Sequence, residues 1–144
     1  MPFSPVRLLI AYEDSHGLCE AVVPRMRRML EERAFEVDVH RIESDSGAEL
    51  ASYRGVVLGA AAGLRGAGPS ERVAAWVRAS EDLGEKKLAL FSVYAVREGG
   101  VLHRLRQITE STGAEVVVAQ AYWRLWLDRA EHVLPAECMV RIRR

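Results

Sequence analysis

A chain of 144 residues, 49% of them hydrophobic, has the length of one ordinary domain and enough apolar side chain to bury a core. Twenty basic and twenty acidic side chains cancel, so no global field draws it to nucleic acid or to an anionic membrane. One domain over residues 1–144 is expected. No segment approaches the roughly eighteen apolar residues of a membrane span, and the start lacks a signal-peptide plan, so a cytoplasmic location is expected. Cys19 and Cys138 lie far apart and lack metal-ligand spacing, which reads as two free thiols.

Val6 to Tyr12 is a nearly continuous apolar run, the mark of a strand covered on both faces of a parallel sheet. It breaks at Glu13-Asp14-Ser15-His16-Gly17. A helical rhythm follows in Leu18, Val22, Met26, Met29 or Leu30, and Arg33. Pro24 either kinks this helix or marks its restart, with proline in the first turn. The strand, turn, helix order aims unpaired amides and the positive end of the helix dipole at the strand's carboxyl end. An anion such as a phosphate is favoured there.

Phe35 to Ile42 alternates apolar and polar residues and predicts an edge strand with one wet face. Ser44 to Gly47 reads as a loop, and Ala48 to Tyr53 as a turn or two of helix. Arg54 to Ala60 predicts a buried central strand that runs into a loop rich in glycine and alanine, Ala61 to Ser70. Val73, Trp76, Val77 and Ser80 mark a helix introduced by Pro69 or Ser70. Lys87 to Val93 predicts the fourth strand, followed by Tyr94-Ala95-Val96. Val101, Leu102, Leu105, Ile108 and Thr112 space out another helix, closed by Gly113, and Glu115 to Tyr122 predicts the fifth strand. This alternation calls for a right-handed, wound α/β sheet. Residues 123–135 hold about two helical turns before Pro135, so the last helix is short or missing. Tyr122, Trp123 and Trp126 would then cover bare sheet, by folding back over it or through a second subunit in a homodimer.

Three stretches, Tyr12 to Cys19, Val56 to Gly63 and Leu88 to Val93, resemble the flavodoxin-like family. Within it they look most like the flavodoxin-type, menaquinone-dependent protoporphyrinogen oxidases. The third strand and loop of those enzymes read much like Tyr53 to Gly66, and their fourth strand commonly ends Leu-Phe-Ser, as Leu90-Phe91-Ser92 does here. The resemblance spans residues 6–120. It implies an α/β, flavodoxin-like, doubly wound five-stranded parallel sheet of order 2-1-3-4-5. It also implies noncovalent FMN and electron transfer or quinone-type oxidoreduction, without naming the redox partner or small-molecule acceptor. FMN would lie against Asp14, Ser15, His16, Gly17, Leu18 and Cys19 at its phosphate, and Ala61, Ala62, Gly63 and Leu64 at its ring. Ser92, Val93, Tyr94 and Ala95 complete the groove, with Tyr94 available to touch the ring or to cap the sheet edge.

The family's first loop cradles the phosphate with hydroxyls, in a pattern near Ser-x-Thr-Gly-x-Thr. This chain keeps one hydroxyl, Ser15, and the glycine, Gly17, directly after two acids. Like charges a few ångström apart cost on the order of 1 to 4 kcal/mol at surface-like dielectric. An FMN phosphate therefore requires Glu13 and Asp14 to point away, or His16 to be protonated. If a carboxylate fills the amide pocket instead, the fold persists as a binding or regulatory module without flavin. A response-regulator receiver shares the strand order and accounts for Glu13, Asp14 and Ser92. Its phospho-accepting aspartate is missing, because Gly59 and Ala60 end the third strand. Cys19 stands where a helix N-terminus can lower a thiol pKa, and His16 has helical spacing to it but no second ligand pair.

Overall fold

Apolar runs that do not alternate need cover on both faces, and the middle of the sheet provides it: all seven residues of β3 (Gly55–Ala61) are buried. The computed structural model describes residues 6–14, 17–43, 47–62, 68–69 and 71–123. Flanking β3 are β1 (Val6–Glu13) and β4 (Lys87–Tyr94), with β2 (Phe35–Arg41) and β5 (Glu115–Trp123) outside them. The five strands are parallel in the order β2-β1-β3-β4-β5, as expected. β2 is an edge strand. The β4–β5 register slips between Leu88, opposite Val116, and Ala89, opposite Val118, so Val117 is the bulged residue.

Side chains alternate along each strand, and the two faces make two cores. Leu8, Ile10 and Tyr12 of β1 meet α1 (Cys19–Glu32) through Cys19, Val22, Met26 and Leu30. Leu9 and Ala11, with Val56, Leu58, Leu88 and Leu90, meet α2 (Glu71–Ala79) and α3 (Val101–Glu110) through Val73, Trp76, Val77, Val101 and Leu105. α1 is unbroken and contains Pro24, so no restart occurs there. Both Met29 and Leu30 are buried, whereas Arg33 is an exposed residue just past the helix end. A short 3-10 turn, Leu83–Glu85, precedes β4 and was not legible as an element.

Ala48 to Tyr53 is not helical, contrary to the sequence reading. Six residues yield too few internal hydrogen bonds to offset a costly helix nucleus. Tertiary contacts hold the segment instead. The amide of Ala48 donates to Ser80 Oγ at 3.1 Å, and Leu50 is fully buried. The Tyr53 hydroxyl donates to Asp38 at 2.7 Å, and the Arg7 guanidinium lies 4.9 Å from the Tyr53 ring centre. Arg7 also reaches Asp38 at 2.6 Å, and these two donors hold the Asp38 carboxyl below its ordinary pKa. α3 ends at Glu110, and Gly113 closes the following turns at φ +93°, as its position suggested. The expected short last helix, Trp126 and Cys138 lie outside the described residues.

Candidate functional site

Parallel pairing brings the carboxyl ends of β1, β3 and β4 side by side: Glu13 lies opposite Ala60, Ala60 opposite Ser92, and Ala61 opposite Val93. The stretches that carried the family resemblance thus meet at one edge, the usual ligand edge of an open α/β sheet. Asp14, Gly17, Leu18, Cys19, Ala61, Ala62, Ser92, Val93, Tyr94 and Ala95 are described there. Ser15, His16, Gly63 and Leu64 lie outside the described residues.

At the start of α1 one first-turn amide open to an anion is taken by the chain itself. Asp14 is only 4% exposed, and its Oδ2 accepts the amide of Glu20, in the first turn of α1, at 3.0 Å. A carboxylate on these amides satisfies an unpaired donor and the helix dipole together. Asp14 Oδ1 is also buried and has no hydrogen-bond partner. Arg41 closes the corner from β2, pairing with Glu20 at 2.5 Å and donating to the Asp14 carbonyl at 3.2 Å. Gly17 turns the chain into the helix at φ +73°, a conformation that costs glycine little. Cys19 is fully buried, and its Sγ lies 3.8 Å from the Glu13 carbonyl oxygen. Its thiol pKa is raised well above 9.0, first by burial and then by Asp14, Glu13 and Glu20, so the sequence expectation of a lowered value is corrected. Burial and the neighbouring acids both disfavour the thiolate that a helix N-terminus alone would favour.

The remaining described positions make contacts within the chain. Ala61 and Ala62 are buried, and the Ala62 amide donates to the Val93 carbonyl at 2.9 Å. Val93 belongs to the α1 core, while Tyr94 is half-buried against the α2–α3 core. Trp123 Nε1 donates to the Ala95 carbonyl at 3.0 Å, which ties the ends of β4 and β5 together. Ser92 is fully buried and donates to Glu98 Oε1 at 3.3 Å.

Glu98 was missed in the sequence. Its carboxylate accepts the amides of Gly100 at 2.8 Å and Leu102 at 2.7 Å, and so caps the start of α3. The legible signal was an acid a few residues ahead of a helical rhythm, in Glu98-Gly99-Gly100-Val101. Among the described residues, no cluster of acids, histidines and cysteines could hold a metal, and no helix is long and apolar enough to cross a membrane.

No protein-family model matches the chain, and no curated protein sequence does. Solved structures do match. A two-electron reduced flavodoxin from Megasphaera elsdenii superposes with a TM-score of 0.69 at 21% identity, covering 88% of this chain and 96% of that one. An oxidised flavodoxin 2 from Bacillus cereus gives 0.70 at 21% identity, covering 88% and 93%. A flavodiiron core from Synechocystis gives 0.72 at 10% identity, covering 96% of this chain and 36% of that one. The chain has the flavodoxin fold.

The FMN that the resemblance implies can be tested at its phosphate end. A dianion there would displace Asp14 from the Glu20 amide or sit against its carboxylate, a repulsion of about 4 kcal/mol per charge pair near 4 Å at surface-like dielectric. The described residues at the start of α1 do not fit a phosphate.

Proposed function

We propose that the chain is a flavodoxin-like redox domain whose ligand edge, at the carboxyl ends of β1, β3 and β4, takes a flavin ring. The observation that supports this reading is the parallel 2-1-3-4-5 sheet shared with flavodoxins. It sets the ends of β1, β3 and β4 side by side, with Asp14, Gly17 to Cys19, Ala61–Ala62 and Ser92 to Ala95 at or just past them, on the edge where open α/β sheets bind ligands. A bound flavin supplies electron or hydride chemistry, and the protein's part is to seat and orient it. The likeness of Tyr53 to Gly66 and of Leu90-Phe91-Ser92 to the flavodoxin-type protoporphyrinogen oxidases points to a quinone-type exchange.

A second reading is favoured by one observation. The Asp14 carboxylate on the Glu20 amide is what a scaffold that has given up flavin, and serves as a binding or regulatory module, would show. Spectroscopy separates the two. The redox reading expects flavin bands in the purified protein, or quenching of flavin fluorescence when micromolar protein meets FMN or riboflavin. A colourless protein that leaves both fluorescence signals unchanged removes the redox reading and leaves the module as the reading to test for a partner.

A further inference from the structure

The helices that start at the ligand edge carry their own anions. Asp14 holds the Glu20 amide of α1, Glu98 holds the Gly100 and Leu102 amides of α3, and Glu71 stands in the first turn of α2. A helix N-terminus ordinarily offers such amides to a phosphate. Here two of the three helices have donors already bonded to carboxylates, and an incoming phosphate meets charge of its own sign. The buried Asp14 adds an independent observation. It is 4% exposed, and among the described residues its Oδ1 is an acceptor with no partner, which a hydroxyl can satisfy and an unprotonated phosphate oxygen cannot.

From this geometry we infer that Asp14 is a specificity-determining residue, which stands in for the ligand's phosphate and selects a flavin without one, ended by hydroxyl donors. The inference rests on the flavin reading above and assigns its ligand class. Riboflavin and FMN share ring and ribityl chain and differ in the terminal phosphate, so the pair isolates the group that Asp14 excludes.

Titration of the full chain with riboflavin and with FMN, followed by fluorescence quenching at low salt, tests this directly. Riboflavin is expected to bind at least about tenfold more tightly than FMN, because the phosphate dianion is repelled at close range. Asp14→Asn keeps an acceptor for the Glu20 amide and removes the charge. It is expected to tighten FMN about tenfold and to weaken riboflavin by less than that, because the side-chain NH2 then faces the terminal hydroxyl as a donor in place of the carboxylate acceptor. FMN binding as tightly as riboflavin to the wild-type chain overturns the inference and leaves the flavin reading standing. Failure of both ligands to bind the wild type overturns the flavin reading and the inference with it. The wild-type comparison needs no variant, so a poorly folded Asp14→Asn protein does not blunt the test.

Discussion

Cys19 shows how one side chain answers to its surroundings rather than to its sequence position. A thiol at a helix N-terminus is ordinarily acidified. This one is fully buried, and Asp14, Glu13 and Glu20 disfavour its thiolate, so its pKa is raised. Because the folded pKa lies above the ordinary value, this group's contribution to stability is complete below pH 9.0 and is lost as pH rises toward the folded pKa. With Cys138 replaced by serine to leave one thiol, Cys19 is expected to stay silent toward a thiol reagent at pH 8 and to react only after denaturant is added. Prompt stoichiometric reaction of the native protein would contradict the buried, proton-retaining thiol. Asp14, five residues earlier, is the other case. Its acid was legible as a threat to a phosphate, but its bond to the Glu20 amide was not, since that depends on how the turn folds back.

Among the elements, β3 has the tightest requirement. It is buried along its whole length, and Gly59 faces the Phe91 ring of β4 directly. A Cβ on Gly59 would lie 2.0 Å from Phe91 Cζ, and that ring is itself fully buried. Gly59→Ala is therefore expected to destabilise the fold by about 1 to 3 kcal/mol through overpacking, read as a lower denaturation midpoint at unchanged slope. A midpoint within error of the wild type would show that Phe91 can rotate away. The Ala48–Tyr53 segment makes the opposite point. Its residues carry no strong local signal, and Ser80, Asp38 and Arg7 decide its path from distant parts of the chain.

At the scale of the whole sheet, local stability is expected to fall from its centre to its edges. β3 has neighbours on both sides and helices on both faces, whereas the last three residues of β2 are exposed at the sheet edge. Native-state hydrogen exchange should find the β3 amides exchanging last, through global unfolding, and the β2 amides near Arg41 exchanging sooner, through local opening. Slower exchange at β2 than at β3 would reverse this gradient.

Strand and helix order, the edge position of β2 and the buried character of β3 were legible in the chain, because apolar periodicity reports burial directly and parallel α/β topology leaves few arrangements. The resemblance of three stretches also pointed to one edge, and the strand pairings bring the strand ends in those stretches together. Three features were set by contacts between residues far apart or by the path of a turn: the capping of α1 by Asp14, the capping of α3 by Glu98 and the non-helical course of Ala48–Tyr53. Periodicity reports which face of an element is dry. It does not report which acceptor a helix amide finds, because that partner is chosen only when the elements have packed and water has left.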